Sequence, residues 1–211
     1  MRRKFQRYKP EKPKTVRQLQ VYSKNPTQAK LTIAWNSFHF IDGSSHDVGY
    51  QNALSSIKDI DYSAKDVERF ALQLYNSWGD ELFGKEAGIF LSALANSGKE
   101  QDYRLFLEHI DEQLCFIGLR NTKHINVSGC AGNLVGYKMA SGTITVDGNV
   151  LDGLGDGLEG GKIIVHGTVG GLGENMRGGE IHLEAEQDID ALIKNVKHGK
   201  IFHMGKLIVD K

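Results

Sequence analysis

The apolar positions of the chain follow three different rhythms. LTIAW (31–35) and SFHFI (37–41) read as two short strands, followed by the turn-rich DGSS. Ser63 then opens a helix, with Asp66 at the capping-box position and one apolar stripe of Val67, Phe70, Ala71, Leu74 and Tyr75. Gly79 is placed to end it. A second helix over 85–96 carries Ala87, Phe90, Leu91 and Leu94. Residues 103–118 fit either period: Tyr103, Leu105 and Leu107 alternate, whereas Tyr103, Phe106, Leu107, Ile110 and Leu114 follow a helical spacing.

From residue 124 the pattern repeats itself. HINVSGCAGNLVGYKMASG (124–142) aligns with TITVDGNVLDGLGDGLEGG (143–161) and KIIVHGTVGGLGENMRGG (162–179), and EIHLEA (180–185) begins a fourth copy. Apolar rows recur as Ile125/Ile144/Ile163/Ile181, Val127/Val146/Val165/Leu183 and Ala131/Val150/Val169, with Val135/Leu154/Leu172 and Met139/Leu158/Met176 beside them. Sixteen of the 25 glycines lie between 129 and 179, many in register, such as Gly136/Gly155/Gly173.

Each copy offers five apolar side chains worth about 1.5–3 kcal/mol apiece when buried. Ordering one copy costs on the order of 20–40 kcal/mol of backbone entropy. A single copy therefore cannot stand alone, and the repeat predicts coils that stack and fold together. Sharp corners in such coils call for left-handed backbone, which Gly adopts freely and Asn tolerates. Asn175 falls in register with Gly157 as that rule asks. Lys138, the third member of the row, is left without an account by the pattern.

Gly155, Gly157 and Gly160 also satisfy G-x-G-x-x-G. A dinucleotide loop needs a helix after the glycines. KIIVHG follows instead, a strand, so the glycines read as corners and no cofactor is expected.

The copies GCAGNLVGYKMASG, GNVLDGLGDGLEGG and GTVGGLGENMRGG resemble a G-x-x-G-x-x-x-G repeat family. That family includes the C-terminal domain of the glutamate synthase large chain and the repeat-bearing subunit of formylmethanofuran dehydrogenase. The resemblance covers residues 119–187. It implies a short right-handed parallel β-helix of 18–19-residue coils, with 103–109 a strand leading in, and the helices and strands read before it make an α+β N-terminal cap that matches neither relative. The expected divisions are a basic extended arm (1–30), a cap (31–118), the solenoid (119–187), and a closing helix near 188–197 with GKIFHMG (199–205) as a final strand. It further implies a structural spacer, a non-catalytic subunit of an oxidoreductase, since catalysis in those enzymes lies in other domains or subunits. This chain shows no N-terminal nucleophilic cysteine, flavin barrel or cluster cysteines.

Charge adds one feature. Residues 1–30 hold ten Lys and Arg against Glu11 alone, a charge of +9, and the neutral chain therefore carries −9 elsewhere. All three prolines lie in this stretch. It suits docking on an acidic protein surface, of a partner or of a second copy, with nucleic-acid binding as the alternative. No apolar run approaches the length of a membrane span, and the two cysteines, Cys115 and Cys130, form no framework or C-x-x-C. A cytoplasmic protein is expected.

Isolated chemical candidates are weaker. Ser44, Ser45, His46 and Asp47 adjoin in GSSHD, where a hydrogen-bonded turn is the simpler reading than a triad. A small enzyme with a site between cap and solenoid around His39, His46 and Asp47 is the alternative to a scaffold. His124, His166 and His182 lie on strands facing outward, and Cys130 is expected to fill a small gap beside a corner. No catalytic, cofactor or metal residue is assigned.

Overall fold

A computed structural model describes residues 25–40, 45–75, 81–193 and 196–211. Helices come first among the described residues: α1 (Pro26–Ser37), α2 (His46–Ile57), α3 (Ala64–Gln73) and α4 (Phe83–Ser97). Seven strands follow, β1 (Asp102–Phe106), β2 (His124–Ser128), β3 (Thr143–Val146), β4 (Lys162–Val165), β5 (Glu180–Leu183), β6 (Lys200–His203) and β7 (Lys206–Asp210), with α5 (Ile189–Ile193) before β6. They form one sheet in chain order, parallel from β1 to β6 and antiparallel only between β6 and β7. Each parallel step is one turn of a solenoid, five among the described residues.

The register explains the repeat. Tyr103, Ile125, Ile144, Ile163, Ile181 and Ile201 stack as one inward ladder, each no more than 1% exposed. Leu105, Val127, Val146, Val165 and Leu183 form a second. On the far side of the coil Ala131, Val150 and Val169 are bridged to one another. Outward positions between these ladders stay partly or fully exposed, the alternation a half-buried strand requires.

The solenoid begins inside the stretch assigned to the cap. Residues 102–106 are a strand, which resolves the ambiguity of 103–118, and β1 pairs with β2 over its whole length. Partners there are 22 residues apart, against 19 for the next pair. An insertion around 107–112 hides the first coil from the repeat.

The strands expected at 31–35 and 37–41 are not formed; residues 26–37 are α1, and 41 lies outside the described residues. β-branched Thr32 and Ile33 suggested a strand, but Leu31, Ala34, Trp35 and Phe38 recur at helical spacing and are all buried. Asn25 caps the helix, its side chain accepting from the Thr27 N–H, and Pro26 opens it. Residues 26–30 thus belong to a helix and not to an extended arm, while residues 1–24 lie outside the described part.

α3 begins with the expected capping box of Ser63 and Asp66. It ends at Gln73, so Leu74 closes the buried stripe and Tyr75 is 53% exposed; Gly79 lies outside the described residues. α4 matches the second expected helix. α2 has no counterpart in the sequence reading, because its mixed composition hides a stripe of Gly49, Tyr50, Ala53 and Ile57. Trp35 sits at the centre of the helical core, 5.3–6.4 Å from the rings of Phe38, Phe70, Phe83 and Phe90.

Candidate functional site

The helices meet the solenoid along α4. Gly84, Gly88, Ser92 and Asn96 recur every four residues, so they line one face of that helix. The first coil's corner, 115–122, lies along it. The Cys115 N–H donates to the Gly84 carbonyl at 3.0 Å. The Ser92 hydroxyl reaches the Phe116 carbonyl at 2.9 Å and accepts from the Gly118 N–H at 2.9 Å. Asn96 donates to the Leu119 carbonyl and accepts from the Thr122 N–H. A Cβ at Gly88 would overlap the Cys115 carbonyl oxygen, so only glycine lets the two backbones approach this closely.

A second contact crosses from α2. Asp47 Oδ1 accepts from Arg120 Nε at 3.0 Å and Oδ2 from Lys138 Nζ at 2.8 Å. The hydrogen bond from Lys138, then that from Arg120, holds the Asp47 carboxyl below its ordinary pKa. The same bonds hold Arg120 and Lys138 above theirs. All three side chains keep between a third and a half of their surface in solvent, which screens the attraction.

These two cations settle the puzzle of Lys138. Arg120 and Lys138 both adopt φ of 54°, and Gly157 stands next in the same column at φ 68°. The corner is left-handed in three successive coils, yet in the two nearest the helices it carries a long cation instead of glycine. Each such residue costs about 1–2 kcal/mol of backbone strain, and in exchange the cation is aimed at Asp47. Asn175 departs from the expectation: it is not left-handed, and its backbone N–H and Nδ2 both donate to Asp156 Oδ1. The coil that holds it is one residue shorter in register than the coil before, and Gly173 is not left-handed either. Gly155 is a left-handed corner at φ 69°, and the segment after it leads to β4, a strand.

His46 lies beside this contact among rings. Its imidazole is 4.1 Å from Phe116 and 6.0 Å from both Phe40 and Tyr137, centroid to centroid. Burial, then the Lys85 charge, pushes its pKa below the usual histidine value, which favours the neutral ring. The Ser45 hydroxyl accepts from the Val48 N–H as the N-cap of α2, and Asp47 faces Arg120 and Lys138. Ser45, His46 and Asp47 therefore serve a cap, a stack and an ion pair; Ser44 lies outside the described residues. His39 is exposed, though Phe40 beside it is buried and its N–H donates to Glu86.

The remaining candidates do not converge here. His124 is exposed on β2, and His166 pairs with Asp147 at 3.1 Å. His182 faces outward but is mostly covered, stacked on Phe202 at 4.3 Å and bonded to Glu180. Cys130 is exposed, so it fills no gap; its sulfur accepts from the Asn149 N–H. Burial raises the Cys115 pKa, which disfavours a thiolate. Among the described residues no group of three His, Cys, Asp or Glu is arranged to hold a metal ion, and no helix is long and apolar enough to cross a membrane.

A groove of about 680 Å³ runs along another row of corners, floored by Gly142, Gly161, Gly179 and Gly199. Its rim carries Lys162, Glu180, Lys200 and Asp210. The corner N–H groups there are engaged between coils, as in Lys162 N–H to Gly142 O and Glu180 N–H to Gly161 O. The sequence reading missed α4's four-residue stripe and the Asp47 contact. The misfit of Lys138 in a glycine column was the one signal that pointed to the second. Comparison with family models, curated proteins and solved structures finds no match for this chain.

Proposed function

We propose that this chain is a non-catalytic scaffold or assembly subunit, a right-handed β-helix of the G-x-x-G-x-x-x-G repeat family with helices fixed to one end. The Asp47 contact is the observation that carries this reading. Two cations in strained backbone and the nearby carboxylate are committed to joining helices and solenoid, which leaves the obvious acid and base without a free role. The glycines are explained by corners and close stacking, without a ligand. The protein is placed in the cytoplasm, and its basic residues 1–24 are assigned to docking on an acidic protein surface.

The reading is tested by native affinity purification from the source cell, followed by mass spectrometry of what is retained. A scaffold retains stoichiometric protein partners or copies of itself, and His46→Ala leaves that assembly and any activity of the complex unchanged. Retained RNA that residues 1–24 alone bind with a steep salt dependence replaces the reading with nucleic-acid binding. Loss of turnover in His46→Ala with assembly intact replaces it with a small enzyme.

A further inference from the structure

The two ends of the sheet are treated differently. α3 lies against β1. At the other end β7 returns antiparallel through a two-residue turn in which Met204 and Gly205 both have positive φ. The β6–β7 register slips between Ile201 and Phe202, and β7 carries a charge at either end, Lys206 and Asp210. A bulge and charges on a short edge strand discourage addition of a further strand. The outward face of β4 to β7 is a different matter.

Two rows cross that face in register. Lys162, Glu180, Lys200 and Asp210 form the first, so charge alternates in sign from strand to strand. Ile164, His182, Phe202 and Leu207 form the second. His182 and Phe202 are stacked with their planes 10° apart, and Leu207 is 43% exposed. Met204, at the hairpin tip, is 60% exposed.

Both rows are complementary to themselves. A two-fold axis parallel to the strands, passing between β5 and β6, sets β4 over the partner's β7 and β5 over its β6. At the face-to-face spacing of about 10 Å, Lys162 then meets Asp210 of the other copy and Glu180 meets Lys200. The apolar row meets itself in the same operation, Ile164 over Leu207 and His182 over Phe202. A single-sign charge row would repel its own copy, and an alternating row of odd length would set like over like. Four strands with alternating charge satisfy the symmetry.

We propose that this outward face of β4–β7 is an interface between two copies of this chain, a face-to-face dimer of solenoids. The proposal rests on the self-associating form of the scaffold reading and specifies its surface. The contact is small, under about 1,200 Å² in total, so the dimer is weak and concentration-dependent.

Sedimentation equilibrium of the full chain across a concentration series reads the dimer directly. Lys200→Glu and Glu180→Lys each place two like-charge contacts in their own dimer, so each alone should sediment as monomer. An equimolar mixture restores both opposite-charge contacts and should form a heterodimer. Circular dichroism of each variant confirms that the fold is kept, and Phe202→Asp should also dissociate the dimer. A wild-type chain that is monomeric throughout the series overturns the proposal, as does a dimer that both charge variants retain. A mixture that stays monomeric overturns it too. Any of these results alongside stoichiometric capture of other protein subunits would leave the scaffold reading standing.

Discussion

Gly88→Ala is the sharpest test of how the helices are joined to the solenoid. Alanine is the better helix former by about 1 kcal/mol, so an unsupported helix would be stabilised. Here the new methyl meets the carbonyl oxygen and carbon of Cys115, both backbone atoms. They have little room to retreat, because the Cys115 N–H is bonded to Gly84 and the Phe116 carbonyl to Ser92. Overpacking costs about 1–3 kcal/mol. Moving α4 away weakens the Gly84 and Ser92 bonds, each worth about 1 kcal/mol net. After subtracting the helix gain, the expected loss is about 2–4 kcal/mol. For a chain of this size, about 2–4 °C per kcal/mol gives a fall in melting temperature of about 5–15 °C. Differential scanning calorimetry measures it, with Asn52→Ala on the exposed face of α2 as a control expected to change little. An unchanged or higher melting temperature for Gly88→Ala would show that α4 does not seat on the 115–119 corner.

The Asp47 contact has a pH signature. Its carboxyl pKa is lowered in the folded chain, so its contribution is complete above the unfolded value of about 3.9 and is lost as pH falls through the folded value. Asp47→Asn should therefore cost about 1 kcal/mol at pH 7, with the gap to wild type closing below about pH 4; a gap constant in pH would contradict the pairing. Gly155→Val forces a β-branched residue into φ 69° with its Cβ 2.8 Å from Ile181 Cδ1, and should cost about 1–3 kcal/mol. Thr145→Val on the outward face should be near neutral, and equal melting temperatures would remove Gly155 from its corner role. His46 should titrate below 6.5 in NMR, whereas a higher value would place an acid against it. A chain starting at Asn25 should keep its fold and lose only salt-sensitive association, and unfolding on truncation would make residues 1–24 part of the core.

The solenoid was legible because its physics is periodic. Ile125, Ile144, Ile163 and Ile181 occupy one ladder, and a ladder writes itself into the sequence at a constant interval. The first coil escaped because the insertion near 107–112 breaks that interval, although Tyr103 and Leu105 fill the same two ladders. In the helical part no interval is shared between elements, so only the strong stripes of α3 and α4 were read. Thr32 and Ile33 carry strand propensity, and burial of Leu31, Ala34 and Trp35 overrides it. The candidate site was half visible. His46 and Asp47 were picked out as neighbours in sequence, but their partners, Phe116, Arg120 and Lys138, come from coils about 70–90 residues away. Propensity and spacing carry no record of contacts at that range.

The proposal that this chain is an assembly subunit is put to native mass spectrometry of the full-length protein isolated gently from its source cell. The account expects masses corresponding to a complex, either copies of the chain or the chain with defined protein subunits, unchanged in the His46→Ala variant. A lone monomer whose turnover of a substrate disappears with His46→Ala would contradict it.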